Sequence, residues 1–239
     1  MAWPDRTGGE GPHAGQPVRT AGPSPDRARL AAVMLHGRGA GADDMLGLHA
    51  HLALPDVAAI APEAAGRSWW PDSFLAPLAR NEPGVSSALA VVGSLLNDLE
   101  RAGFGPERTA LVGFSQGACL ALEATARLAQ PFRAVAALSG GLVGTGEVGG
   151  PSTDELYGRA DKRFDYNGSL VGAGGLGVPV LMGCHERDPH IPLARVRRSA
   201  EIVAGMGAVV ETITIPGAGH GIVAEEVAWL RGQLNGDGA

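Results

Sequence analysis

The stretch that decides the fold is TALVGFSQG, at residues 109–117 of a 239-residue chain. Residues 109–114 are largely apolar and predict a buried β-strand, and the Ala- and Leu-rich segment Gln116–Leu128 predicts a helix directly after it. Between them, Gly113 and Gly117 flank Ser115 in a G-x-S-x-G pattern. A sharp turn brings the backbone close to itself at both glycines, so we expect a Cβ there to clash. Ser115 is then expected to stand exposed above the sheet, at the positive end of a helix.

Around this turn, short aliphatic runs alternate with segments of helical period, which predicts βα units and a mostly parallel sheet. Three of the runs are apolar throughout, as is typical of central strands covered by helices on both faces. The predicted strands are Leu30–Leu35, Val57–Ala61, Thr109–Phe114, Ala134–Leu138, Val178–Met182 and Val209–Ile215; the predicted helices are Asp43–Ala53, Ser86–Arg101, Gln116–Leu128, Leu193–Met206 and Ile222–Leu234.

The remaining segments set the expected domain organisation. Residues 1–16 are rich in Gly and Pro and lack apolar periodicity, so they are expected to be a flexible N-terminal arm. Residues 17–239 are expected to form a single α/β domain. Within it, residues 62–84 and 141–177 follow neither period, and long unpatterned segments of this kind are often functional or disordered.

Composition excludes several classes of protein. The formal net charge is −6 and basic residues are scattered, which argues against a nucleic-acid surface. No run approaches the ~18 apolar residues of a membrane helix, and residues 1–29 lack the apolar middle of a signal peptide, so a cytoplasmic location is expected. The two cysteines, Cys119 and Cys184, are too few for a disulfide framework and are expected to be buried free thiols.

A serine hydroxyl is a poor nucleophile at neutral pH and needs a base, with an acid to orient that base. After a G-x-S-x-G turn the order along the chain is Ser, then Asp or Glu, then His. Asp188 follows the predicted strand 178–182, and His220 follows the strand 209–215. Both lie just past the carboxyl end of a strand, where open α/β sheets assemble their sites. We therefore predict Asp188 as the acid and His220 as the base, with Glu186 as a rival acid.

Hydrolysis through a tetrahedral intermediate also needs donors for the developing oxyanion. The backbone N–H of Gln116 is one candidate. Residues 36–41, HGRGAG, follow the first long apolar strand, so the N–H of Arg38 is the second. A phosphate-binding loop is the alternative, but the Gly-Lys-Ser/Thr ending of a nucleotide P-loop is missing. The Arg38 side chain could meet an anionic substrate or pair with Asp43 or Asp44.

Three aromatic residues, Trp69, Trp70 and Phe74, lie in the unpatterned segment 62–84. They form either a satellite core under a long loop or an apolar wall for the substrate, and both roles are compatible. No metal site is expected near Cys184, His185 and His190, because the spacing is wrong for a helical zinc site and Pro189 prevents the helix.

Four motifs together carry a resemblance to a known family: LHG at 35–37, GFSQGA at 113–118, DPHIP at 188–192 and PGAGH at 216–220. Over about residues 16–234 the chain resembles the carboxylesterase/phospholipase family of α/β-hydrolases, which includes the acyl-protein thioesterases. The resemblance implies an α/β-hydrolase fold with helices on both faces of the sheet, and hydrolysis of carboxylic or thioesters without a cofactor. It also implies Ser115, Asp188 and His220 as the catalytic triad, with Arg38 and Gln116 as oxyanion donors.

The chain departs from the family pattern at two places. Better-known members carry Leu-Gly-Asp where this sequence has Arg38-Gly39-Ala40, and residues 144–177 are longer than the usual connection. Both departures concern the substrate preference rather than the chemistry. We expect a serine esterase for small-molecule esters with small or medium acyl chains. The alternatives are an acyl thioesterase, a lysophospholipase or a non-catalytic binding protein of the same fold, and a homodimer stays open.

Overall fold

A seven-stranded sheet organises the part of the chain that the computed structural model describes, residues 2–148, 162–172 and 174–235. The strands are β1 (Val18–Ala21), β2 (Leu30–Leu35), β3 (Val57–Pro62), β4 (Thr109–Phe114), β5 (Ala134–Leu138), β6 (Gly146–Glu147), β7 (Lys162–Arg163), β8 (Pro179–Arg187) and β9 (Val209–Ala218). The order in the main sheet is β1-β3-β2-β4-β5-β8-β9, while β6 and β7 form a separate antiparallel pair. Only β1 runs antiparallel to its neighbour in the main sheet, so the predicted, mostly parallel sheet is confirmed.

Helices cover both faces of this sheet, as predicted. They are α1 (Ala42–Leu52), α2 (Leu78–Asn81), α3 (Gly84–Arg101), α4 (Gln116–Leu128), α5 (Leu193–Gly205) and α6 (Ala224–Asn235). Side chains of β2 alternate between two buried clusters: Ala31, Val33 and Leu35 pack with α3, α4 and α5, whereas Leu30, Ala32 and Met34 pack with α1 and α6. A strand buried on both faces must be apolar at every position, which is why β2 and β4 show no alternation.

Some boundaries differ from the sequence prediction at the edges of the sheet. Strand β1 was not predicted, because four residues with only Val18 buried carry no apolar pattern. Strands β8 and β9 continue past their predicted ends to Arg187 and Ala218, where they pair with each other. Strand β9 is the last strand of the sheet and has many exposed residues, so it is an edge strand.

Residues 2–16 do not form the loose arm that their composition predicts. Thr7 and Gln16 exchange hydrogen bonds, and His13 is buried. The glycines of this segment permit close approach to α3: a Cβ added at Gly9 would lie 2.9 Å from the backbone of Ala90. The glycines of this segment therefore allow close contact with α3 rather than disorder. Composition alone could not distinguish these two roles of glycine.

Part of the Gly-rich segment 141–177 is held by one buried side chain of α4. Glu123 accepts hydrogen bonds from the backbone N–H groups of Val143 and Gly144, from the Tyr166 hydroxyl and from the Arg127 guanidinium. Residues 149–161 and 173 of this segment lie outside the described residues. Within the described ranges, no helix has the length and apolar character needed to cross a membrane.

Candidate active site

The turn between β4 and α4 holds Ser115 in a left-handed conformation, with φ +55°. An added Cβ at Gly113 would lie 2.1 Å from the carbonyl oxygen of Gly117, and one at Gly117 would lie 2.0 Å from that of Leu35. The predicted clash at both flanking glycines is therefore confirmed. The serine N–H donates to the carbonyl oxygen of Leu138 at 2.9 Å, which helps hold a conformation that is costly for a non-glycine residue.

The structure brings Ser115, His220 and Asp188 together in a chain of hydrogen bonds. His220 Nε2 lies 2.9 Å from Ser115 Oγ, and His220 Nδ1 lies 2.7 Å from Asp188 Oδ2. The Asp188 carboxylate is fully buried, and its Oδ1 accepts the backbone N–H groups of His190 and Ile191 at 2.8 and 3.0 Å. Burial alone would raise the pKa of Asp188, but the hydrogen bonds from His220, His190 and Ile191 lower it below its ordinary value.

This charge state decides which nitrogen of His220 carries the proton. An ionised carboxylate can only accept, so Nδ1 must donate to Asp188 and Nε2 is free to accept from the Ser115 hydroxyl. Glu186, the rival acid, lies on the exposed part of β8 and accepts the N–H of Gly217.

The loop that carries His220 is shaped by a histidine that sequence reasoning did not single out for this role. A Cβ added at Gly219 would lie 2.6 Å from His185 Nε2, so His185 packs directly behind the loop. The glycine before His220 is needed for this contact rather than for a positive φ. The Gly-His-Gly pattern was a sign in the sequence that a neighbour approaches this loop closely, but it did not identify that neighbour as His185 of β8.

The two predicted oxyanion donors lie on either side of Ser115. The N–H of Gln116 is among the first donors of α4, which have no partner inside the helix. The loop after β2 approaches closely, since a Cβ at Gly37 would lie 3.2 Å from the Cβ of Ser115. The N–H of Arg38, the next residue, has no hydrogen-bond partner among the described residues. Two amide donors are thus available beside one hydroxyl.

A cavity of about 700 Å³ opens over Ser115 and His220. Trp70 and Phe74 line it, so these two predicted substrate-binding residues are at the cavity wall. Its other lining residues are Gly37, Arg38, Ala40, Ser73, Leu75, Phe114, Gln116, Cys119, Pro189, His190 and Ile191. The wall is therefore largely apolar around a polar reaction centre, as is usual for small-molecule sites.

Trp69, the third residue predicted to bind substrate, does not line this cavity. Its side chain is fully buried, its indole Nε1–H donates to the carbonyl oxygen of His36, and its backbone N–H donates to Gln116 Oε1. Gln116 Nε2 in turn donates to the carbonyl oxygen of Trp70. The satellite-core interpretation holds for Trp69, because adjacent residues of an irregular loop can point in opposite directions.

The Arg38 guanidinium does not pair with Asp43 or Asp44. It donates to the backbone carbonyl oxygens of Pro71 and Asp72, so it holds the loop that carries the cavity wall. Burial lowers the pKa of Arg38, and the charge of Asp72 opposes this effect.

Both cysteines are buried free thiols, as predicted. Burial raises the pKa of Cys119 and of Cys184 to about 12, so neither is a reactive thiolate near neutral pH. In the described part of the chain, no group of three or more His, Cys, Asp or Glu residues is arranged to hold a metal ion.

Comparisons with known proteins agree with this geometry. A family model described as Phospholipase/Carboxylesterase matches residues 23–153. Acyl-protein thioesterase 1 of Gibberella zeae is 31% identical over 163 residues, which is 66% of this chain and 62% of that protein. The chain thus spans less than two thirds of the length of this curated relative.

Solved structures extend the likeness over most of the chain. A phospholipase/carboxylesterase from Dyadobacter fermentans is 35% identical, with a TM-score of 0.80 over 95% of this chain and 100% of that one. Esterase PE8 is 26% identical, with a TM-score of 0.67 over 91% of this chain and 96% of that one. The chain belongs to the phospholipase/carboxylesterase family of α/β-hydrolases, a family of carboxylic ester hydrolases.

Proposed function

We propose that this protein is a serine hydrolase that cleaves carboxylic esters through an acyl-enzyme intermediate. One observation carries the proposal: the uninterrupted hydrogen-bond chain from Ser115 Oγ through the His220 imidazole to Asp188 Oδ2. A nucleophile, a base and a residue that orients the base are the parts that acyl transfer requires.

Acylation begins when Ser115 Oγ attacks the ester carbonyl carbon and its proton passes to His220 Nε2. The carbonyl π electrons move onto the carbonyl oxygen, and the N–H groups of Arg38 and Gln116 donate to that oxyanion. Asp188 stabilises the imidazolium through Nδ1. When the tetrahedral intermediate collapses, the bond to the alcohol oxygen breaks and His220 gives its proton to the departing alcohol.

Deacylation repeats these steps with water. His220 Nε2 takes a proton from a water molecule as the water oxygen attacks the acyl carbon. The second intermediate then collapses: the bond between the acyl carbon and Ser115 Oγ breaks, His220 returns the proton to Oγ, and the acid is released.

The cavity supports a small or medium acyl group as the substrate. Trp70 and Phe74 supply apolar walls next to Ser115, and the volume of about 700 Å³ lies within the range of small-molecule sites. Thioesters are a second candidate, because the 31% identical relative from Gibberella zeae is named as an acyl-protein thioesterase. Paired oxoester and thioester substrates with the same acyl chain distinguish the two by their ratio of kcat/KM.

The decisive experiment is exposure of the whole chain to a fluorophosphonate, followed by intact-mass measurement and peptide mapping. One adduct on Ser115 is expected, since only an activated serine attacks this reagent. Ser115→Ala is expected to lose the adduct and to lower kcat for a 4-nitrophenyl ester by on the order of 10³–10⁶. A wild-type protein that gives no adduct, or a Ser115→Ala variant with near-normal turnover, contradicts the proposal.

A further inference from the structure

Two buried histidines outside the proposed triad flank the ring of Trp69. His13, from the N-terminal segment, and His36, at the end of β2, are almost completely buried. Their ring centroids lie 5.4 and 5.1 Å from that of Trp69. Neither imidazole has a role in the chemistry derived above, yet both are in contact with the residue that holds Gln116.

The hydrogen bonds of His13 require a neutral imidazole. Its Nε2 lies 2.8 Å from the carbonyl oxygen of Trp69, which can only accept, and its Nδ1 accepts the N–H of Ala65 at 3.1 Å. His36 shows the same restriction with the other tautomer: Nδ1 donates to the carbonyl oxygen of Gly37 and Nε2 accepts the N–H of Ala64. A protonated imidazole has no acceptor nitrogen, so a proton on either ring would break one of these bonds.

The surroundings of the two rings favour the neutral forms. Burial lowers the pKa of both His13 and His36, because a charged imidazolium loses hydration there. Around His36 the charged neighbours are Glu63, Asp44 and Arg67. The ring of His13 is instead faced by backbone groups of the loop at 65–69 and by the indole ring of Trp69.

Trp69 connects these histidines to both proposed oxyanion donors. Its backbone N–H donates to Gln116 Oε1, at the residue that carries one donor. Its indole N–H donates to the carbonyl oxygen of His36, two residues before the donor of Arg38. A shift of the Trp69 backbone is therefore transmitted to both sides of Ser115.

The N-terminal segment is itself firmly anchored, so that it can hold His13 in place. The Thr7 hydroxyl donates to the carbonyl oxygen of His13 at 2.6 Å. The N–H of His13 donates to the Ser87 hydroxyl on α3 at 3.0 Å, and that hydroxyl donates to the carbonyl oxygen of Glu10 at 2.7 Å.

We propose that His13 is a positioning residue of the active site, whose neutral imidazole holds Trp69 and, through it, the oxyanion donors of Arg38 and Gln116. The inference rests on the proposed function. Its consequence is that the N-terminal segment belongs to the catalytic scaffold. Proton uptake by His13 in acid then lowers kcat.

The test compares His13→Leu, His13→Gln and Arg6→Ala with the wild type, in the full chain, with a 4-nitrophenyl ester. His13→Leu is expected to lower kcat about tenfold or more with little change in KM, because displaced donors stabilise the transition state less while substrate binding persists. His13→Gln is expected to regain most of the kcat, since its amide can donate to the Trp69 carbonyl. Its decline of kcat in acid is expected to be shallower, since the amide does not titrate.

Arg6→Ala is the matched control, because it removes an exposed hydrogen bond of the same segment, from the Arg6 guanidinium to the carbonyl oxygen of Gly15, without removing a contact to His13 or Trp69. It is expected to keep near-normal kcat even if thermal stability falls. Equal losses in Arg6→Ala and His13→Leu would reduce His13 to a structural role and overturn the inference, as would unchanged kcat in a folded His13→Leu. Should His13→Leu not fold, an acid profile of His13→Gln that superimposes on the wild type overturns it. A wild-type protein without turnover or fluorophosphonate adduct is a failure of the proposed function instead.

Discussion

Two buried carboxylates near the site, Asp188 after β8 and Glu226 in the first turn of α6, have opposite electrostatic environments. Asp188 accepts hydrogen bonds from His220, His190 and Ile191. Glu226 Oε2 accepts only the N–H of Val223, and its Oε1 has no partner among the described residues. Hydrogen bonds lower the pKa of Asp188 despite its burial, whereas burial raises the pKa of Glu226 to about 7.

Hydrogen-bond donors, rather than the depth of burial, therefore decide the charge of a buried acid in this fold. Glu226 Oε1 packs against β8 at Gly183, where a Cβ would lie 1.7 Å from it. That contact supplies no donor. Glu123 is the other extreme: it is fully buried like Glu226 but accepts four hydrogen bonds.

The largest effect is expected from breaking the well-supported carboxylate. Asp188→Asn keeps the shape but loses the charge that holds His220 in the productive tautomer, so kcat is expected to fall by about 10⁴-fold with little change in KM. Steady-state kinetics and the rate of fluorophosphonate labelling measure it. Glu186→Gln is the control, expected to keep activity. Similar losses in both variants would mean that Asp188 has no special role.

A large loss of stability is expected from removing the Glu123 carboxylate, which accepts four hydrogen bonds. Glu123→Leu leaves the Arg127 charge and three further donors without their acceptor, so the free energy of unfolding is expected to fall by about 3–5 kcal/mol. Urea unfolding followed by circular dichroism measures it. A variant as stable as the wild type would show that donor convergence matters less than the comparison implies.

An intermediate effect is expected at Glu226, where ionisation of the side chain lowers the free energy of unfolding instead of raising it. Its pKa in the folded protein, about 7, exceeds its ordinary value of 4.5, so its stabilising effect is complete below about pH 4.5 and is lost as the pH rises to about 7. The loss amounts to about 3 kcal/mol in the free energy of unfolding. Glu226→Gln, which stays neutral, is expected to remove this part of the pH dependence.

Urea unfolding at pH 5 and pH 8 measures that change, and Glu100→Gln is the control. Glu100 is exposed on α3 and is not among the charges that shift the pKa of Glu226, so its substitution is expected to leave the pH dependence as it is in the wild type. If Glu226→Gln and the wild type lose equal stability between the two pH values, Glu226 is not the buried, poorly bonded acid described here.

The smallest effect is expected at a carboxylate that is neither buried nor well supported. Glu201 pairs with Arg198 at 3.0 Å on α5, and both side chains are mostly exposed. Because water screens such pairs, Glu201→Gln is expected to change the free energy of unfolding by less than about 0.5 kcal/mol. The same urea experiment measures this change. A loss of 2 kcal/mol or more would show that an exposed ion pair contributes strongly to the stability of this protein.

The G-x-S-x-G turn and the order of Ser115, Asp188 and His220 along the chain were predictable because each depends on local rules. Gly113 and Gly117 are required by contacts of the turn with adjacent backbone, and a fully apolar strand precedes it. The sequence distinguished Asp188 from Glu186 less clearly. In the structure Asp188 contacts His220 while Glu186 contacts Gly217, because the two side chains leave the end of β8 in different directions. Those directions depend on the pairing of β8 with β9.

Local patterns in the chain predicted the strand–turn–helix units, the sharp turn at Ser115 and the family, since steric clashes and apolar periodicity act between near neighbours in the chain. Three features depend on the folded structure instead: residues 2–16 pack on the domain, Trp69 supports Gln116 while Trp70 faces the cavity, and Glu226 lacks the donors that Asp188 has. Those outcomes depend on which distant backbone groups meet in space, and no spacing along the chain records that.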